Sequence, residues 1–226
     1  MIIDNQDEKP HSLDASSKGE GIFSATNLPN RAFDIVAIAA SAGGLKALSG
    51  IFNELPGDFP VGIVVVQHIP PNRESLMAKI LNRRTPLLVK QAEDREPLNA
   101  GTVYIAPSNF HLRVEPKNVL CLTQSEKVHF VRPAAEVLFS SVAKSYKDRA
   151  IAVVLTGGDS DGSGAVKTLH KVGSKVIAQD RETSEVFGMP AAAINTGCVD
   201  WVLPLDKIAS ALKNLVATGN IGREIL

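Results

Sequence analysis

From Phe33 onward, short apolar runs alternate with stretches whose apolar residues recur every three or four positions. Runs of this length, rich in Val, Ile and Ala and uninterrupted by polar residues, suit strands buried on both faces of a parallel sheet. Phe33 to Ala40 predicts a first strand and Ser41 to Gly44 a turn, after which Leu45, Leu48, Ile51, Phe52 and Leu55 share one helical face. Gly62 to Gln67 predicts a second strand, which Pro70 and Pro71 break before a helix marked by Leu76, Met77, Ile80 and Leu81. Between residues 86 and 124 the pieces PLLVKQA, TVYIAPS, FHLRVEP and VLCLTQ lack helical spacing and predict an antiparallel extension of the sheet. Pro133, well placed in a first turn, opens a helix over 134–146. Strand Ala150 to Leu155, a helix near 165–172, strand Lys175 to Ala178, a short helix near 190–195, strand Val199 to Leu203 and helix Asp206 to Val216 follow. The alternation predicts an α/β fold: a mostly parallel, doubly wound sheet with helices on both faces and a short antiparallel extension.

Composition bounds what such a domain can do. The 226 residues balance 24 basic against 24 acidic side chains, without the basic excess that drives nucleic-acid binding, and aromatics are only 5%. Residues 1–30 hold five acids, two bases and little periodicity, predicting a disordered tail of net charge −3 ahead of a body of +3. Residues 31–218 are then the folded domain and 219–226 a C-terminal tail. The acidic start does not fit a secretory signal, and no apolar run is long enough to span a bilayer. Cys121 and Cys198 form no CxxC pair or disulfide framework, which suits a reducing cytoplasm.

Ligands of open α/β sheets collect where parallel strands end at their carboxyl side. Three turns there carry chemistry: Ser41 in AASAGG, His68 in VVVQHIPP, and the pair Asp159 and Asp161 in TGGDSDGSG. A hydroxyl, an imidazole and a carboxylate are the parts of an activated nucleophile, the imidazole taking the proton and the carboxylate fixing its tautomer. Each has a plainer role when taken singly. Ser41, Asp161 or Ser163 could cap a helix, and His68 could be a hydrogen-bonded strand-end histidine. Gly43, Gly44, Gly157 and Gly158 permit tight turns and close backbone approach. Ser41 lies outside G-x-S-x-G, the Gly-rich turns match neither G-x-G-x-x-G nor a P-loop, and His170 stands where a calcium loop beginning at Asp159 needs glutamate. Zinc-ligand spacing is also missing, so neither a metal nor an organic cofactor is expected.

The segments IAASAGG, VVVQHIPP, VVLTGGDSDG and IAQDRETSEVFGMPAAAI, with AGTVYIAPSNFHL and RPAAEVLFSSVA between them in order, resemble the catalytic domain of CheB-type protein-glutamate methylesterases over about residues 33–215. The resemblance implies Ser41 as nucleophile, His68 as general base and Asp161 as its aspartate, with Gly158 and Ala42 supplying backbone groups at the oxyanion site. The family usually has TGMGNDG where this chain has TGGDSDG, so Gly158 replaces methionine, Asp159 glycine and Ser160 asparagine. The added carboxylate of Asp159 would favour a protonated imidazole. Ala42 stands where the family commonly has threonine, and Val131 where histidine often precedes the Arg-Pro pair. The implied activity is cytoplasmic hydrolysis of γ-methyl glutamyl esters on a methylated chemoreceptor-like protein, with deamidation of glutamines as a second outcome. Without a preceding receiver domain, regulation is expected from a trans-acting partner or not at all; membrane insertion and nucleic acid are not expected. The alternatives are an inactive module that binds receptor or methyltransferase, and an esterase for another ester.

Overall fold

The computed structural model describes residues 31–69 and 75–225. The expected tail over 1–30 and the break at Pro70 and Pro71 lie outside them. Nine strands and six helices are described: β1 (Ile35–Ala40), α1 (Gly44–Asn53), β2 (Gly62–Gln67), α2 (Met77–Asn82), β3 (Leu88–Gln91), β4 (Thr102–Ile105), β5 (His111–Glu115), β6 (Val119–Thr123), α3 (Ala135–Tyr146), β7 (Ala150–Val154), α4 (Ser163–Lys171), β8 (Lys175–Gln179), α5 (Gly188–Ile194), β9 (Trp201–Leu203) and α6 (Leu205–Thr218).

Seven strands form one parallel sheet in the order β3-β4-β2-β1-β7-β8-β9. Every residue of β1, β2 and β7 is buried, which is why their sequences run apolar without alternation. The pleat divides β1 between two cores. Val36, Ile38 and Ala40 face Leu48, Ile51 and Phe52 of α1 and Leu212 and Leu215 of α6. Ile35, Ala37 and Ala39 face Leu138, Phe139 and Val142 of α3 and Val166 and Leu169 of α4.

The segments expected to extend the sheet in antiparallel fashion divide instead. PLLVKQA and TVYIAPS provide β3 and β4 of the parallel sheet, while FHLRVEP and VLCLTQ pair with each other as a separate two-stranded sheet. The connections decide this. Between Gln91 and Thr102 the chain has room to return and pair in parallel, whereas β5 and β6 are joined by a tight turn with Lys117 and Asn118 at positive φ. This hairpin lies against α3, where Ser141 Oγ accepts the N–H of Val114 and Ser145 Oγ donates to its carbonyl.

The segment expected to be a C-terminal tail packs down. Ile221 and Ile225 are buried in the core beside α6, and Asn214 Nδ2 donates to the Ile221 carbonyl.

Sheet order reverses between β1 and β7, since β1 is followed by β2 on one side and meets β7 on the other. The crevice at the carboxyl ends of β2, β1 and β7 is the topological switch point, and it holds the turns after all three strands.

Candidate active site

Ser41 follows the last residue of β1, Ala40, which pairs with Gln67 at the end of β2. The ladder continues into the turns. Ser41 N–H donates to the Thr156 carbonyl at 2.9 Å, and His68 N–H donates to the Ala40 carbonyl at 3.1 Å. The serine and histidine backbones are therefore about one strand spacing apart, roughly 4.8 Å.

Ser41 is not the cap of α1. That position is Gly43, at φ 79°, and the Ser41 carbonyl instead accepts the N–H of Gly44 and the side-chain amide of Gln67. Gly157 makes the site close-packed, because a Cβ there would lie 2.9 Å from Ser41 Cβ and 2.2 Å from Met189 Sδ. Thr156 Oγ1 donates to the Ala42 carbonyl at 2.8 Å and ties the β7 turn to the serine turn. No hydrogen bond from a described residue engages Ser41 Oγ or the N–H groups of Ala42 and Gly158.

The His68 ring is nearly enclosed, with 10% of its side chain exposed. Its Nε2–H donates to Asp161 Oδ2 at 2.8 Å, leaving Nδ1 as the nitrogen able to serve a hydroxyl. Asp161 is buried and does not cap its own helix, which begins after Gly162 in the left-handed conformation. Its carboxylate instead accepts the first N–H groups of α3, from Ala135 to Oδ2 and from Glu136 to Oδ1. A helix N-terminus thus holds the carboxylate that orients the imidazole. Asp159 is also drawn in. Its Oδ1 accepts the Asp161 N–H at 2.9 Å, and its Oδ2 lies 3.0 Å from His68 Nδ1. Burial opposes a charge on His68, but the two carboxylates outweigh it and push the pKa up to about 9.

The CheB methylesterase family model matches residues 36–212. The chain belongs to the CheB methylesterase family. A protein-glutamate methylesterase/protein-glutamine glutaminase of Pyrococcus horikoshii is 41% identical over 197 residues, which are 84% of this chain and 54% of that protein. A putative protein of the same description from Leptospira interrogans is 38% identical and is covered over 92% of its length. The crystal structure of the Thermotoga maritima CheB methylesterase catalytic domain superposes with a TM-score of 0.79 at 43% identity, over 81% of this chain and 99% of that one. The chain spans about half the length of several of the curated relatives it matches, the Pyrococcus protein among them.

Within this CheB methylesterase fold, several supporting residues were not singled out from sequence. Gln67 donates to the Ser41 carbonyl, and Gln179 Oε1 accepts the Thr156 N–H. Met189 packs beneath Gly157, whose carbonyl accepts the Met189 N–H. Gln67 and Gln179 end strands and Met189 opens α5, all three within the family-like motifs, which is the signal that could have found them. His68 opens into a cleft of about 250 Å³ shared with Lys127, Phe130, Val131, Arg132 and Pro133. Phe130 stands almost fully exposed at its rim, and Arg132 is anchored through Asn109 Oδ1. Donor atoms of His129, Glu136 and Asp161 lie within 4.8 Å of one another, but both Asp161 oxygens already accept hydrogen bonds.

Proposed function

We propose that the protein is a serine hydrolase that removes methyl groups from glutamyl γ-methyl esters of a chemoreceptor-like protein. The observation that carries this reading is that the turns bearing Ser41, His68 and Asp161 meet at the carboxyl ends of β1, β2 and β7, with His68 bonded to Asp161 and the Ala42 and Gly158 N–H groups without a hydrogen-bond partner among the described residues. Ser41 Oγ attacks the ester carbonyl while His68 Nδ1 takes its proton, and Asp161 stabilises the resulting imidazolium. The N–H groups of Ala42 and Gly158 receive the oxyanion. His68 then protonates the departing methoxide, methanol leaves, and water deprotonated by the same nitrogen releases the glutamate and restores Ser41. A glutamine side chain presents the same electrophile, so deamidation with loss of ammonia follows the same route. The relatives' description as methylesterase and glutaminase supports both outcomes. No step calls on a metal or an organic cofactor.

In this reading residues 31–218, with the residues after them that pack beside α6, form the catalytic unit, and it works in the cytoplasm. No helix among the described residues is long and apolar enough to cross a membrane. The test is methanol release from methylated receptor membranes together with fluorophosphonate labelling. Release by the wild type, none by Ser41→Ala, and a label on Ser41 support the proposal. A label on Ser160 or Ser163 overturns the assignment of the nucleophile, and labelling of Ser41 without methanol release favours a different ester.

A further inference from the structure

The proposed reaction leaves one side chain at the site without a task. His68 has a carboxylate at each ring nitrogen: Asp161 Oδ2 lies 2.8 Å from Nε2 and Asp159 Oδ2 lies 3.0 Å from Nδ1. The two carboxylates are held very differently. Asp161 has a side chain only 1% exposed and is tied to the N-terminus of α3, whereas the Asp159 side chain is 43% exposed and, apart from His68, is fastened among the described residues only through the Asp161 N–H. Its contact with Nδ1 is within ion-pair reach but off the hydrogen-bond axis. The movable carboxylate therefore occupies the nitrogen that the proposed reaction needs.

We propose that Asp159 is a positioning residue that pairs with the serine-facing nitrogen of His68 and keeps the ring an imidazolium at rest, so that hydrolysis begins only when this carboxylate withdraws or the ring loses its proton. The proposal rests on the reading of His68 as general base. An imidazolium has no lone pair with which to accept the Ser41 proton.

The surrounding charges are consistent with this. Asp159 and Asp161 approach from the turn between β7 and α4, and Lys127 and Arg132 line the same cleft from the segment before α3. Arg132 is engaged with Asn109 and with the carbonyls of Gln124 and Ser125, which holds its guanidinium in place. His129 and Glu136 approach Asp161 from the side of α3. His111, whose burial disfavours its charged form, accepts the Ala134 N–H beneath the site. The paired His68 is the main reason the Asp159 carboxyl is held below its ordinary range. Asp159 is thus the removable member of the set.

The test follows the His68 ring C–H resonances by NMR from about pH 5 to 11 in the wild type, Asp159→Asn and Asp159→Gly, with the pH-rate profile on a p-nitrophenyl ester measured alongside. The wild-type midpoint is expected near 9. Both variants should lower it by more than about one unit and carry the rate profile with it, raising the rate at pH 7 about tenfold. A wild-type midpoint near the ordinary value for histidine overturns the proposal without any variant, as does a midpoint in folded Asp159→Asn that matches the wild type. A shifted midpoint without esterase activity in any form upholds the pairing and overturns the hydrolase reading instead.

Discussion

At the amino ends of β1 and β7, one carboxylate sits between two guanidiniums. Arg31 Nε reaches Asp34 Oδ1 at 2.9 Å, and Arg149 grips both Asp34 oxygens at 2.9 Å through a two-pronged fork. At the carboxyl ends of the same strands one imidazole sits between two carboxylates. The arrangements mirror each other in charge and differ in what they allow. Guanidiniums do not lose their protons in the accessible pH range, and they hold the Asp34 carboxyl below its ordinary range, so the amino-end cluster stays fully ionised around neutral pH. The imidazole can lose its proton, and one of its carboxylates is exposed and weakly tied. The same sheet thus has one end built to hold and one end able to change protonation state, and the proposed chemistry lies at the second.

Four outcomes would break or sharpen that contrast. The largest is expected for Asp161→Asn, which should cut turnover roughly 10⁴-fold as in triads whose tautomer is wrong, while circular dichroism stays native. Gly157→Ala comes next, because its Cβ would press on Met189 Sδ and Ser41 Cβ. A displacement of Ser41, the proposed nucleophile, by about 1 Å should cost about 10²-fold in turnover, checked by steady-state kinetics. At the opposite end, Arg149→Ala should lower unfolding stability by about 1–2 kcal/mol in urea, since it removes charge-assisted bonds that are partly exposed to water. It should leave turnover unchanged, the two ends being about 20 Å apart along the strands. A loss of turnover with Arg149→Ala would show that the ends are coupled.

The fourth outcome is read in the pH dependence of stability. Asp34 has its pKa lowered, chiefly by the Arg149 hydrogen bonds, so its contribution is present above the unfolded value and is lost as pH falls through the lowered one. His68 is raised to about 9, so its contribution is complete below the unfolded value near 6.5 and is lost as pH rises through about 9. Urea titrations should therefore show an alkaline decline that His68→Gln removes and Arg149→Ala leaves in place.

The hydrophobic pattern located β1, β2, β7 and the helices well because burial on both faces forces uninterrupted apolar runs and amphipathic helices carry a clear period. It also put Ser41, His68 and Asp161 just after strands, and so at one edge of an α/β sheet. It was less informative between residues 86 and 124, where short runs look alike whether their partner lies parallel or antiparallel. The last residues read as a tail because Ile221 and Ile225 are too isolated to show a period, although both are buried.

What this sequence determined by itself was local: which segments become strands and helices, where the glycine turns fall, and that a serine, a histidine and two aspartates lie within those turns. Only the tertiary structure decided how they are used. Asp161 is held by the N–H groups of α3, an element some 25 residues earlier in the chain, and this places its carboxylate on Nε2. Asp159, two residues away, is left for Nδ1. The reason is physical: a hydrogen bond selects a particular atom through distance and angle, and when its partner comes from a remote segment those quantities exist only after the sheet order has brought the two together.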